Sequence, residues 1–130
     1  MNLLDENVRD DQRTLLRQWR IPFRQIGKEL SRSGIQDDNL LPLLHRLKRP
    51  TFFTQDEDFF KRHLCHPAYC LVWLNVSNIE AAFYVRRFLR LSAFRTQRQR
   101  LGKVVRVHPG GTSYYEAGRR ELVKVVWVKE

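Results

Sequence analysis

The sequence has 130 residues, 42% of them hydrophobic and 29% charged, with a formal net charge of +10. This length and composition are typical of a single soluble globular domain, which we place at residues 1–130. No apolar run approaches the roughly 20 residues that span a bilayer, and the acidic N-terminal stretch is no signal peptide. We therefore expect no membrane partner and a cytoplasmic protein, in which Cys65 and Cys70 are reduced thiols.

The positive charge is confined to the second part of the chain. Residues 1–58 carry ten basic and ten acidic side chains, whereas residues 59–130 carry 14 basic and four acidic ones. Such an asymmetry suits a polyanion that contacts the basic part and is presented to the acidic part. Solubility alone is the simpler explanation of the same charge.

The first predicted elements alternate between strand and helix. A short apolar strand, Asn2–Leu4, precedes a helical spacing of apolar residues from Val8 to Trp19. A second strand is predicted from Phe23 to Ile26. Asp37 then stands at the N-cap position of a leucine-rich helix that ends near Lys48.

The next elements continue this alternation. Phe52 and Phe53, flanked by threonines, predict a buried third strand, and the continuous apolar run Tyr69–Leu74 predicts a fourth one, covered on both faces. A helix is predicted from Ile79 to Leu89. Repeated strand–helix units favour an α/β fold with a mainly parallel sheet and right-handed crossovers.

The tail has a different pattern, which divides the domain into an α/β core at residues 1–95 and a basic loop with a β-rich tail at residues 96–130. Strands are predicted at Lys103–His108, Thr112–Glu116 and Leu122–Val128, with turns at Pro109–Gly111 and Ala117–Arg120. Because the last strand is very apolar, this C-terminal β meander is expected to cover part of the sheet or to pair with a second copy in a homodimer.

Four carboxylates follow the predicted strands or open the second helix. Asp5 follows the first strand, Asp56 and Asp58 follow the third, and Asp37 begins the helix between them. Since ligands of open α/β sheets bind at the carboxyl ends of the strands, these acids are expected to converge. Crowded carboxylates need a cation, a shared proton or solvation, and oxygen ligands suit Mg²⁺ or Mn²⁺.

Other interpretations of these residues remain open. Asp37 caps a helix in any case, and Asp58 can simply cap a turn. A phosphate-accepting receiver fold also pairs acids in this way, but no lysine is well placed between Val72 and Glu80. His63, Cys65, His66 and Cys70 lie too close together in sequence for a typical structural zinc site, although either histidine could contact a phosphate.

Three motifs resemble those of small PIN-like proteins related to the VapC-type toxins of bacterial toxin–antitoxin pairs. They are an apolar run into Asp5-Glu6-Asn7, Asp37 opening a leucine-rich helix, and the turn Thr54-Gln55-Asp56-Glu57-Asp58-Phe59. The resemblance covers roughly the first half of the chain. It implies a three-layer α/β/α PIN-like fold, Mg²⁺- or Mn²⁺-dependent endoribonuclease activity, and an antitoxin as partner. It also implies that Asp5, Asp37, Asp56 and Asp58 bind the metal and are catalytic.

No acidic residue occurs from Ala81 to Tyr115, where arginines accumulate. We expect this stripe to contact the phosphates of RNA in a salt-sensitive, non-specific way. A solvated helix face, or a surface for an acidic antitoxin segment, explains the stripe as well. The nucleic-acid-binding residues predicted on it are Arg86, Arg87, Arg90, Arg95, Arg98 and Arg100.

The sequence thus predicts a metal-dependent endoribonuclease, the toxin of a toxin–antitoxin pair, that hydrolyses RNA phosphodiesters. The alternative is a non-catalytic PIN-like module that binds nucleic acid or protein. In that case the clustered acids are structural, or bind an ion without turnover.

Overall fold

The structure, a computed structural model, describes residues 1–27 and 37–127, with the side chains of Asp37 and Asp38 outside the description. Within these residues no helix is long and apolar enough to cross a membrane. The helices are α1 (Asp10–Gln18), α2 (Asp37–Arg46), α3 (Ala81–Arg90) and α4 (Gln97–Arg100). The strands are β1 (Asn2–Leu4), β2 (Arg24–Gln25), β3 (Thr51–Thr54), β4 (Cys70–Leu74), β5 (Lys103–His108), β6 (Gly111–Glu116) and β7 (Val123–Val125).

The seven strands found in residues 1–27 and 37–127 form one sheet, in the order β2-β1-β3-β4-β5-β6-β7. The pairings from β2 through β5 are parallel, and those of β5 with β6 and of β6 with β7 are antiparallel. This confirms the predicted α/β class and the mainly parallel sheet. The chain moves from β1 to one neighbour, β2, and then returns to the other neighbour, β3.

Helices cover both faces of the sheet because its side chains alternate between two hydrophobic clusters. Leu4 and Phe53 point to one face of the sheet. That face is covered by Leu16 of α1 and by Val85 and Phe88 of α3. Leu3 and Phe52 point to the opposite face, covered by Leu40 and Leu44 of α2. The result is a layered arrangement of helix, sheet and helix, as strands buried on both faces require.

The three helical crossovers do not share one hand. The connection through α1 runs from β1 to β2, and the connection through α2 runs in the opposite direction across the sheet, from β2 to β3. Because α1 and α2 also lie on opposite faces of the sheet, the two connections have the same hand. The connection from β4 to β5 runs in the direction of the α2 crossover, but α3 lies on the face of α1. Its hand is therefore opposite, and the predicted right-handedness cannot hold for all three connections.

The C-terminal strands extend the sheet edge to edge, whereas the sequence led us to expect that they cover part of the sheet or pair with a second copy. β5 is the fifth parallel strand, paired with β4 from Leu71↔Val104 to Leu74↔Val107. β5 thus belongs to the parallel part of the sheet, although it lies in the segment 96–130 that we predicted as a basic loop with a β-rich tail. β6 and β7 follow β5 as antiparallel neighbours, and the Trp127 indole donates to the carbonyl of His108 at 3.0 Å.

The predicted basic loop after α3 contains a short helix. Thr96 accepts a hydrogen bond from the backbone N–H of Gln99, and the Gln99 side chain accepts one from the N–H of Thr96. This reciprocal pair is a capping box, which satisfies backbone donors at the start of a helix. It fixes α4 against the amino-terminal end of the parallel strands, just before β5.

Candidate acidic site at the carboxyl ends of β1 and β3

β1 and β3 are adjacent parallel strands, but the connections that follow them run to opposite sides, from β1 to β2 and from β3 to β4. One connection leaves β1 for β2, and the chain later returns to β3 on the other side. At such a switch point the loops that follow adjacent strands diverge and leave a crevice, where open α/β sheets bind their ligands. Asp5 follows β1 directly and Asp56 follows β3 by two residues, so both acids border this crevice.

The carboxylate of Asp5 is held by β3. Its Oδ2 accepts a hydrogen bond from the Thr54 hydroxyl at 2.7 Å, while its backbone N–H donates to the carbonyl of Phe53 at 2.9 Å. The second bond continues the parallel ladder one residue beyond β1. Asp5 therefore has a fixed backbone and a fixed side-chain oxygen, and it is partly buried.

Thr54 connects the two acidic segments. Its side chain is fully buried, and its hydroxyl oxygen, besides donating to Asp5, accepts the backbone N–H of Asp56 at 3.1 Å. One hydroxyl thus links the residue after β1 to the turn after β3. The site prediction did not include Thr54, because a threonine at the end of a strand is ordinarily explained by β propensity alone.

Asp56 and Asp58 are arranged around a short 3₁₀ helix, Glu57–Phe59. Asp56 is its N-cap, and its Oδ1 accepts the backbone N–H of Asp58 at 2.9 Å. Asp56 is partly buried, whereas Glu57 and Asp58 are exposed. The structure therefore places Asp5 and Asp56 together, with Asp58 next to them on the solvent side.

Electrostatics at Asp5 reflect this crowding. Burial is the largest effect and raises the pKa of Asp5, and the charges of Glu6 and Asp56 raise it further. The hydrogen bonds from Thr54 and from the backbone of Glu6 act in the opposite direction, but they do not cancel the rise. The ionised form of Asp5 is thus disfavoured, and a cation in the crevice would relieve it.

A buried glutamine fixes the loop that carries Asp5. The Gln25 side chain, in β2, is fully buried, and its Nε2 donates to the carbonyls of Asp5 at 2.9 Å and Val8 at 3.1 Å. Gln25 therefore fastens both ends of the turn between β1 and α1. Sequence reasoning missed it, because no spacing rule links a glutamine in one strand to the loop after another.

The remaining predicted ligand, Asp37, has a side chain outside the described part of the structure. Its backbone begins α2, which returns the chain towards the start of β3. Among residues 1–27 and 37–127, no group of three or more His, Cys, Asp or Glu side chains is close enough to hold a metal ion. Asp5 and Asp56 nevertheless supply hard carboxylate oxygens, a donor type that fits Mg²⁺ or Mn²⁺.

The predicted arginine stripe is divided among three environments. Arg86 stacks on Trp19 at 3.7 Å and Arg87 on Trp127 at 4.4 Å, so both guanidinium groups are held by aromatic rings. Arg90, Arg95 and Arg98 are exposed. Arg100 is only 6% exposed, so it is not part of the accessible stripe.

A different arginine lies at the same end of the sheet as the acids. Asn75 directly follows β4, and when its side-chain amide is turned so that the oxygen points towards Arg106, that oxygen accepts from Arg106 Nε at 3.2 Å and Nη2 at 2.9 Å. The Arg106 guanidinium also lies 5.4 Å from the centre of the Trp73 ring. Arg106 lies between valines in the alternating pattern of β5, and this pattern could have indicated a position on a strand rather than on a helix. From the sequence we instead grouped Arg106 with the other arginines of the basic region.

Comparison with protein-family models, with curated proteins and with solved structures finds no significant match to this chain. The likeness to PIN-like proteins therefore rests on the three sequence motifs. A function for the acidic site has to follow from its geometry and its chemistry.

Proposed function

We propose that the chain is a metal-dependent endoribonuclease of the PIN-like class and the toxin of a toxin–antitoxin pair in the cytoplasm. One observation supports this most strongly. Asp5 and Asp56 are joined through the hydroxyl of Thr54 at the switch point of the sheet, where ligands of such sheets bind. The charge of Asp56 acts on the pKa of Asp5, and the two residues supply hard oxygen ligands without any histidine or cysteine.

In this proposal Asp5 and Asp56 would hold Mg²⁺ or Mn²⁺, with Asp58 and Asp37 as further ligands. When bound, such an ion polarises a phosphodiester and lowers the pKa of a bound water. The choice of ion follows from the donors, because carboxylate oxygens favour hard divalent cations. The unfavourable ionisation of the Asp5 carboxyl gives a reason for a cation to bind there.

The protein's own contribution is to keep the carboxylates oriented before the substrate arrives. Thr54 fixes one oxygen of Asp5, and the N–H of Asp58 fixes one oxygen of Asp56. Gln25 holds the loop behind Asp5. A site whose side chains are already positioned loses less entropy on binding, which is a recognised source of catalytic power.

Basic residues on two surfaces would bind the RNA backbone. Arg106 lies at the carboxyl end of β5, beside Asn75, whereas Arg90, Arg95 and Arg98 lie along α3 and α4, towards the opposite end of the strands. β3 has four residues and spans roughly 13 Å at about 3.3 Å per residue, so a strand of several nucleotides would reach both surfaces. The exposed arginines would serve equally as a surface for an acidic antitoxin segment.

The decisive experiment compares Asp56→Asn with Glu57→Gln. Both variants remove one negative charge from the same turn, and asparagine can still accept the N–H of residue 58 as an N-cap. We expect Mn²⁺-dependent RNA cleavage by the wild type that EDTA abolishes, and a loss of about a hundredfold or more in Asp56→Asn. Glu57→Gln should retain cleavage within a few fold, because Glu57 is exposed.

The same variants separate the enzyme from the non-catalytic module. Absence of cleavage by the wild type with either ion, or equal cleavage by the two variants, would contradict the endoribonuclease proposal. A calorimetric titration of Mn²⁺ into wild type and Asp5→Asn/Asp56→Asn then reports whether the acids bind an ion at all. Saturable binding without cleavage would favour the module.

A further inference from the structure

A cavity lies at the opposite end of the sheet from the acidic site. It has a volume of about 350 Å³ and opens beside the amino-terminal ends of β1 and β2. No acidic residue is among the described residues that line it. The lining includes Asn2, Pro22, Phe23, Arg24, Gln97 and Arg100.

Arg100 is the most unusual residue of this cavity, because its charged side chain is buried. Only 6% of the residue is exposed. Nε donates to the Thr51 hydroxyl at 3.0 Å, and Nη1 donates to the carbonyls of Phe94 at 2.8 Å and Arg95 at 3.1 Å. All three acceptors are neutral, so they orient the guanidinium group without balancing its charge.

The remaining nitrogen of Arg100, Nη2, belongs to a side chain that lines the cavity. Nη2 makes no hydrogen bond to a described residue, and it is not among the fully enclosed unpaired atoms either. Arg100 also forms no ion pair with any carboxylate of the described residues. Burial lowers the pKa of Arg100, as expected for a cation removed from water without a counter-ion.

Other cations and polar groups surround the same space. Arg24 lines the cavity with an exposed side chain, and the Arg17 guanidinium lies 5.3 Å from the centre of the Phe23 ring at its margin. Asn2 donates from Nδ2 to the carbonyl of Pro22, and Gln97 adds a second amide to the wall. Phe23 and Pro22 add apolar groups to a cavity that Arg24 and Arg100 also line.

We propose that this cavity binds a small phosphomonoester, with the phosphate on Arg100 and Arg24 and the organic part against Phe23 and Pro22. Arginine suits this role because its guanidinium group stays charged and makes charge-assisted hydrogen bonds to phosphate; Arg100 would donate from Nη2, the nitrogen that its protein contacts leave over, and Arg24 from its exposed guanidinium. The volume lies within the range of about 300–1,000 Å³ that is usual for small-molecule sites. The site is separate from the acidic crevice and does not depend on the proposed ribonuclease activity.

Calorimetric titration of the full chain with AMP, inorganic phosphate and adenosine tests the proposal. AMP and phosphate should bind saturably and adenosine should not, since the charge of the phosphate provides the recognition. Arg24→Gln should weaken AMP binding by about tenfold, the usual effect of losing one charge-assisted hydrogen bond. Arg24 is exposed, so this variant is expected to fold.

Two further variants serve as controls. Arg62→Gln removes the same charge from an exposed position outside the cavity lining and should change AMP binding by less than about twofold. Asp56→Asn should bind AMP like the wild type, which keeps this result distinct from that of the acidic site. The proposal is overturned if neither AMP nor phosphate binds saturably, if phosphate binds and AMP does not, or if Arg24→Gln and Arg62→Gln behave alike.

Discussion

The two ends of β3 hold charges of opposite sign through the same kind of group. At the amino-terminal end the Thr51 hydroxyl accepts a hydrogen bond from Arg100, and at the carboxyl end the Thr54 hydroxyl donates one to Asp5. Both threonines are buried. A hydroxyl can serve both purposes because it is a donor and an acceptor at once.

The two charged groups differ in how completely the protein satisfies them. Arg100 has three neutral acceptors that fasten α4 and the preceding turn to β3. The Asp5 carboxylate instead lies beside other negative charges, and its pKa is raised. The arginine end should therefore contribute more to stability, whereas the aspartate end tolerates unfavourable charge, as functional sites often do. Three kinds of substitution test this contrast.

The largest effect on stability is expected from Arg100→Met. Methionine fills similar space but leaves the Thr51 hydroxyl and two backbone carbonyls without their donor, so we expect a loss of about 3 kcal/mol. Arg98→Met is the matched control, because Arg98 is exposed in the same helix and should cost less than about 0.5 kcal/mol. Urea denaturation of both variants measures the difference. Equal losses of unfolding free energy in the two variants would show that the buried hydrogen bonds of Arg100 do not stabilise the fold.

An intermediate effect is expected from removing either hydroxyl. Thr51→Val and Thr54→Val keep the shape of the side chain, and each should cost about 1–2 kcal/mol, because the first leaves the buried Arg100 Nε and the second the partly buried Asp5 carboxylate without a partner. Only Thr54→Val should also reduce metal-dependent RNA cleavage, since only Thr54 contacts Asp5. A cleavage loss of similar size in Thr51→Val would mean that the activity follows stability rather than the position of Asp5.

The smallest expected effect is the pH-dependent contribution of Asp5 to the stability of the fold. Because burial raises the pKa of Asp5 in the folded chain, the unfolded chain releases this proton first as the pH rises. The contribution of protonated Asp5 is complete below the unfolded pKa and is lost as the pH rises through the folded pKa. An asparagine at this position resembles the protonated acid at every pH, so Asp5→Asn should be slightly more stable than the wild type at pH 7, by less than the cost of Thr54→Val.

Measuring urea midpoints of Asp5→Asn and wild type at several pH values checks this sign. The difference should vanish in acid, below about pH 3, where aspartate is protonated in both the folded and the unfolded chain. A wild type that is the more stable protein at pH 7 without added metal would contradict it. Added Mn²⁺ should stabilise only the wild type, because a ligand raises stability through the folded site that it binds.

Much of the architecture follows from local patterns in the sequence. The helices that contain Leu16, Leu44 and Phe88 lie where the apolar spacing predicts them, and the buried strands β3 and β4 come from continuous apolar runs. The proximity of Asp5 and Asp56 was also expected, since both follow parallel strands. Sequence alone could not show that β5 joins the parallel sheet, because an alternating strand looks the same beside either kind of neighbour.

The hydrogen bonds at the two ends of β3 could not be predicted from the sequence for a related reason. Arg98 and Arg100 are two letters apart in one basic run, yet one is exposed and the other is buried. Only the path of α4 against β3 distinguishes them. In the same way Thr54 and Gln25 act on Asp5 across strands, and no local periodicity contains such a contact.

The brevity of the outermost strands has a consequence for how copies of the protein meet. Among the described residues the sheet ends in β2, with two residues, and β7, with three. Each carries an exposed cation, Arg24 or Lys124. Short edges with positive side chains are poor templates for a further strand, so they protect a strand-rich chain from edge-to-edge aggregation. Any self-association should then use side-chain surfaces rather than a continuous sheet.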